Sequence, residues 1–129
     1  MTTVKEEVFE YLKTMGLMPK YDESGDIRFM YQMCSIAILF TDKKDEQYLP
    51  IVLSGIFQVD ENNRFDVLEA CHAVMTRMKI VKCLISGSNK VYLSAELLLD
   101  KTPNYEDILP RILRALVASR TKFIEEITK

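Results

Sequence analysis

Apolar residues recur with two different periods along this chain of 129 residues, and each change of period marks the edge of an element. Val4, Val8, Leu12 and Met15 fall at helical spacing with Tyr11 beside them, giving a first helix one apolar stripe and a charged back. Thr3-Val4-Lys5-Glu6 has the form of a capping box, in which the Thr3 hydroxyl and the Glu6 carboxylate each satisfy an orphan backbone donor, so the helix starts there. Gly16 supplies a left-handed C-cap before Leu17 and Pro19. After the turn-forming cluster Asp22-Glu23-Ser24-Gly25-Asp26 the period falls to two. Ile27, Phe29 and Tyr31 alternate with Arg28 and Gln32, as in a half-buried strand. A second strand is predicted over 34–40, with Cys34, Ile36, Ile38 and Phe40 on one face. A charged connection over 42–46 leads to a third strand over 48–57, where Leu49, Ile51, Leu53 and Phe57 alternate against Val52, Ser54 and Ile56. Pro50 lacks an amide donor and predicts that this strand starts late or lies at an edge.

The helical period then returns. Asn63 is a candidate N-cap with Asp66 three residues on, and Val67, Leu68, Cys71, Val74, Met75 and Met78 fill one continuous arc of the following helix. Two strands, 80–85 and 91–99, are joined by Ser86-Gly87-Ser88-Asn89-Lys90, a length suited to an antiparallel hairpin. A last helix is capped by Asn104 and carries Glu106 and Asp107 at the positive end of its dipole. Its buried stripe runs from Ile108 through Ile112, Leu116 and Phe123 to Ile127, and Pro110 predicts a kink or a delayed start. The chain is thus α+β, an antiparallel β-sheet with three helices in the order α-β-β-β-α-β-β-α.

With 48% hydrophobic and 28% charged residues, the length fits one domain, 1–129, that buries roughly two-thirds of its unfolded surface. The net charge of −2 is spread without a basic tail, so neither nucleic acid nor an anionic membrane is an expected partner. The first residues are acidic where a secretory signal would be basic, and the longest apolar stretch, 36–40, is far below the ~18 residues of a membrane span. Cys34, Cys71 and Cys83 form no Cys-x-x-Cys pair and leave an odd count, which suits reduced, packed thiols. A cytoplasmic location is expected.

Catalytic chemistry finds little support. His72 is the only histidine and lies on the polar margin of its helix, where a residue with no catalytic task is the expected reading. Cys71, facing the apolar arc, reads as core. The four glycines never approach one another, so no phosphate-cradling loop or dinucleotide fingerprint exists. Ser86 and Ser88 flank Gly87 in a turn that leads into a strand, whereas a nucleophile elbow leads into a helix. Asp22, Glu23 and Asp26 lack the distal bidentate Glu of a calcium loop. Arg111, Arg114, Arg120 and Lys122 lack interleaved aromatic residues and read as a solvated helix face. No enzyme, cofactor or metal is expected.

The seven methionines are the one suggestive group, since methionine is over-used at surfaces that accept several partners, although most are expected to fill the core. Met30, Leu39, Tyr92 and Leu98 further predict that the sheet face opposite a helix layer is partly apolar.

Four segments resemble the YbjN-type family: Asp26-Ile27-Arg28-Phe29-Met30-Tyr31 after the acidic Gly turn, Tyr48-Leu49-Pro50-Ile51-Val52-Leu53, Leu68-Glu69-Ala70 leading to Lys79-Ile80-Val81-Lys82, and Glu96-Leu97-Leu98-Leu99-Asp100 before the last helix. Their order and spacing cover nearly the whole chain. Members of that family are regarded as sensory transduction regulators, and their fold is similar to that of type III secretion chaperones. The resemblance implies a curved antiparallel sheet with three helices and a dimeric binding or regulatory module with no established enzymatic activity. The family's middle helix often carries asparagines where this chain has His72 and Met75, so no shared polar site is carried over.

Two functional expectations follow. One is a homodimer, with Cys71, Met75 and Met78 as the candidate contact, that binds a polypeptide partner through the sheet face of Met30, Leu39, Tyr92 and Leu98 or through a sheet edge. The other is a small-ligand sensor with a pocket between helix and sheet, for which the polar candidates are His72, Tyr11 and Tyr31.

Overall fold

In the computed structural model, which describes residues 2–40 and 45–129, the elements run α1 (Val4–Thr14), β1 (Lys20–Tyr21), β2 (Ile27–Tyr31), β3 (Cys34–Ile38), β4 (Tyr48–Gln58), α2 (Arg64–Arg77), β5 (Lys82–Ile85), β6 (Lys90–Leu98) and α3 (Tyr105–Ile127). The predicted order holds, with the two-residue β1 added to it. Of the charged connection predicted over 42–46, residues 42–44 lie outside the described residues.

The caps show why these residues form these helices. At the start of α1 the Glu6 amide donates to Thr3 Oγ1 at 3.2 Å, while the Glu6 carboxylate accepts the Thr3 hydroxyl proton instead of reaching back to the backbone. At its end Gly16 takes φ +79°, and the Gly16 and Leu17 amides donate to the Lys13 and Leu12 carbonyls. That pair of bonds is a Schellman motif, so the glycine closes the helix as its position predicts. Asn63 stands at the N-cap of α2 but spends its side chain on the preceding loop, where Oδ1 accepts the Asp60 amide and Nδ2 donates to the Gln58 carbonyl. Asn104 does cap α3, accepting the Asp107 amide at 3.2 Å. α3 begins at Tyr105 and runs through Pro110, so the proline does not delay it.

The six strands form one antiparallel sheet in the order β1-β2-β3-β4-β6-β5. β4 is therefore interior, flanked by β3 and β6, and starts at Tyr48 despite Pro50. The reason is local. The Leu39 amide donates to the Pro50 carbonyl, so the backbone of Pro50 faces β3 just past Ile38, where that strand ends and its missing N–H disrupts no continuing ladder. Between Leu53 and Phe57 the register with β6 shifts, with Gly55 at φ +71° inside the irregular stretch, and Phe57 regains a place opposite Val91.

One parity of strand residues is buried: Ile27 and Phe29, Ile36 and Ile38, Leu49, Ile51 and Leu53, then Leu93 and Ala95, with Cys83 at the rim. They share a single core with Val8 and Leu12 of α1, Val67, Cys71 and Val74 of α2, and Leu109, Leu113, Leu116 and Phe123 of α3. All three helices thus cover the same side of the sheet. Phe123 meets Phe57 edge to face at 5.7 Å between ring centres, which closes the core under the irregular end of β4.

Candidate interaction surface

Strand register determines what lies on the uncovered side. Arg28, Ala37, Val52, Ser94 and Lys82 form its central row across β2, β3, β4, β6 and β5. Ala37 and Ser94 are buried although no helix covers them, short side chains sheltered by longer ones around them. On one side of this row stand Met30 opposite Ser35 and Tyr92 opposite Leu84; on the other stand Pro50 opposite Glu96 and Tyr48 opposite Leu98. Leu39 follows the last residue of β3 and lies beside Pro50. The four residues expected on this face are therefore placed on it together, with Leu98 81% and Met30 57% exposed. Met18, one of the methionines singled out in the sequence, and Leu84, which sequence reasoning passed over, add exposed apolar surface.

A polar cluster interrupts this face. The Tyr48 hydroxyl donates to Glu96 and the Lys82 ammonium pairs with the same carboxylate, joining β4, β6 and β5. The Lys82 charge and the Tyr48 bond hold Glu96 below the ordinary carboxylate range, and Glu96 in turn raises Lys82. At the other end of the central row, Arg28 Nε donates to Asp22 Oδ2 at 2.7 Å. The first oxygen of Asp22 already accepts the Ser24 and Asp26 amides, so this carboxylate serves the turn.

The second expected surface is divided. On α2 the sheet buries the arc only as far as Val67, Cys71 and Val74, and the expected contact trio is split with it. Cys71 turns inward and meets Cys83, Met78 is half-buried against the core, and Met75 points outward. Phe65, 72% exposed, and Leu68 stand with Met75 on the outer side of α2, and Ile80 is exposed just beyond it. Phe65 was missed because it lies off the hydrophobic arc; an aromatic residue on the polar side of a helix is itself the signal.

None of the methionines among the described residues fills the core. Met18, Met30, Met33 and Met75 are exposed, while Met15 and Met78 are only half-buried. His72, Tyr11 and Tyr31 are not gathered into one pocket: His72 lines a polar crevice with Glu69, Arg77 and Glu126 between α2 and the end of α3. A recess of about 400 Å³ does lie between α1 and the start of β4, lined by Val4, Lys5, Glu6, Phe40 and Tyr48 among others. No helix among the described residues is long and apolar enough to cross a membrane.

The YbjN family profile, described as "Putative bacterial sensory transduction regulator", matches residues 5–127. The chain belongs to the YbjN family. Among solved structures it is similar to the E. coli YbjN protein, with 11% identity and a TM-score of 0.70 over 96% of this chain and 93% of that one. It is similar as well to the Yersinia pestis type III secretion chaperone SycH, solved with a stable fragment of YscM2, at 13% identity and a TM-score of 0.63 over 93% and 99% of the two chains. A chain of the heterodimeric ExoU–SpcU complex from the type III secretion system of Pseudomonas aeruginosa gives 16% identity and a TM-score of 0.66 over 91% and 94%. No curated protein matches the sequence. At these identities the likeness is one of fold, and the fold of this YbjN-family chain is the α+β secretion chaperone-like arrangement that the sequence resemblance implies.

Proposed function

We propose that this protein is a non-enzymatic regulatory module that binds a polypeptide partner on the uncovered face of its sheet. The observation that carries the reading is the one-sided placement of the helices, which leaves Met30, Leu84, Tyr92 and Leu98 on a surface that no helix among the described residues covers. Exposed apolar area of this kind marks an interface. The face is favoured over the edges because β1 has two residues and β5 only four, with Lys82 on β5, which offers a partner strand few backbone groups to pair with. Two of the similar folds, SycH with its YscM2 fragment and the ExoU–SpcU heterodimer, were solved as complexes of polypeptides, which supports the same use here. In this reading the protein acts in the cytoplasm as a homodimer, joined through the outward side of α2 at Phe65, Leu68 and Met75 with Met78 at the margin.

The test is a tagged pull-down from native cytosol with mass spectrometry, run on the wild type and on a Met30→Glu/Leu98→Glu variant whose thermal melt is unchanged. A stoichiometric polypeptide lost from the variant is the expected result. Retention of the same polypeptide by the variant would sink the sheet-face assignment. The recess lined by Val4, Phe40 and Tyr48 favours a second reading, a small-ligand sensor. A metabolite that raises the melting temperature of the wild type, with no polypeptide captured, would decide for it.

A further inference from the structure

Two of the three cysteines meet inside the fold. Cys71 on α2 and Cys83 on β5 are twelve positions apart in sequence, and Cys83 Sγ donates to Cys71 Sγ at 3.2 Å. Both are buried, at 3% and 1% exposure, while Cys34 lies on β3. The two sulfurs are not equivalent. The S–H donated by Cys83 holds the Cys71 thiol below the ordinary cysteine range, whereas that bond and burial push Cys83 up. A thiol pair in a core forms only a weak hydrogen bond, and apolar side chains would fill the same volume as well. What sets the pair apart is geometry: two thiols buried face to face, their sulfurs within roughly 1 Å of the separation a disulfide needs.

We propose that Cys71 and Cys83 form an oxidation site, at which a hydroperoxide converts the two thiols into an intrachain disulfide that pins α2 to the edge strand β5. The oxidant is hydrogen peroxide, a hydroperoxide far smaller than a disulfide reagent, because both cysteines are buried. Cys71 gives up its proton, and its sulfur attacks one peroxide oxygen. The O–O bond breaks, and the departing hydroxide takes that proton to become water, leaving a sulfenic acid. The Cys83 sulfur then attacks the Cys71 sulfur, the S–O bond breaks, and the hydroxide leaves with the Cys83 proton as a second water. Two thiols are oxidised by two electrons and one peroxide is reduced to two waters. The bond would fasten the helix that carries Phe65, Leu68 and Met75 to the sheet beneath it.

The experiment treats the intact chain, and a Cys34→Ser variant, with hydrogen peroxide. The reaction is quenched with catalase, and the remaining thiols are alkylated in denaturant. The expected result is paired loss of two thiols, a peptide linking positions 71 and 83, and a monomeric band on a non-reducing gel. A melting temperature higher by roughly 5–15 °C, reversed by dithiothreitol, should accompany it. In Cys83→Ser, Cys71 should stop at a sulfenic acid that dimedone, added with the denaturant, traps. The exposed Met18, Met30 and Met33 provide an internal clock, since their oxidation adds oxygen without changing the alkylation count. Thiols at 71 and 83 that survive until these methionines are oxidised would overturn the proposal. So would oxidation of Cys71 beyond sulfenic acid in the wild type without a linked peptide.

Discussion

The buried carboxylate of Asp26 accepts the backbone amide of Phe40 at 2.7 Å, tying the entry to β2 to the exit from β3 across fourteen positions of chain. This bond fixes the β2–β3 hairpin at its open end, beside the Ile27 and Ile38 pair that closes the ladder. Asp26→Ala would leave the Phe40 amide without its partner, and the expected loss is about 1–3 kcal/mol of stability. Asp26→Asn, whose amide oxygen can still accept, should lose less. Urea unfolding of the three proteins measures the difference, and equal stabilities would show that the bond contributes nothing.

Two leucines of one strand should behave in opposite ways. Leu93 is fully buried and faces the helices, while Leu98 stands on the uncovered side. Leu93→Ala should lower stability by about 2–5 kcal/mol through lost burial and the cavity left behind. Leu98→Ala should stay within about 0.5 kcal/mol, as exposed positions do. Comparable losses in denaturant melts would mean that something covers Leu98.

Gly16→Ala places a Cβ on a residue held at φ +79°. Open space surrounds the position, so the penalty is conformational and not a clash. A loss of about 1–2 kcal/mol is expected from the left-handed backbone alone. Gly16→Asn, which tolerates that conformation better, should recover part of it in the same thermal melt.

The Tyr48, Glu96 and Lys82 cluster predicts a pH dependence. Glu96 is lowered in the folded chain, so its contribution is present above the unfolded value of about 4.3 and fades as pH falls through the lower folded one. Lys82 is raised, so its contribution is present below about 10.4 and is lost as pH climbs through the higher folded value. The melting-temperature difference between wild type and Lys82→Met should form a plateau from about pH 5 to 10 and shrink at both ends. Because the pair is exposed, that plateau should also fall in molar salt. A difference independent of pH would assign the effect of Lys82 to its aliphatic stem.

The homodimer has its own test. Phe65→Asp and Met75→Asp place charge on the outward side of α2, whereas Val67 and Val74 are fully buried on its inner side. Light scattering should report a dimer for the wild type and a monomer for the double variant. A wild type that is monomeric at high micromolar concentration would remove this role from α2.

The parts of the fold that were legible are those set by neighbours in sequence. Thr3, Gly16 and Asn104 mark helix ends because a cap involves residues three or four apart, and the structure places all three where the pattern does. Alternation along β2, β3 and β6 likewise predicted which residues would leave the core, and with it the placing of Met30, Leu39, Tyr92 and Leu98 on one face. What was not legible depends on distant chain. Pro50 is tolerated in an interior strand only because β3 stops at Ile38, a fact no local pattern carries. The buried width of α2 is set by the sheet below it, so Cys71 and Met75, neighbours on one arc, end in a core contact and in solvent. Ile80 shows the same limit: it reads as the first residue of a strand, yet it sits at φ +62° before β5 begins at Lys82.

The strand order has a consequence for how the protein is made. β4 is the longest strand, and its second neighbour is β6, not the next strand in sequence. While the chain is being synthesised, β1 through β4 can assemble by hairpins, but one side of β4 cannot begin to pair until residue 90 has emerged and is not fully paired until residue 98 has. Phe123, which packs on Phe57 at the end of that strand, arrives later still. The nascent protein therefore carries a long open strand edge through the whole synthesis of α2 and β5, and that interval is when it is most exposed to aggregation.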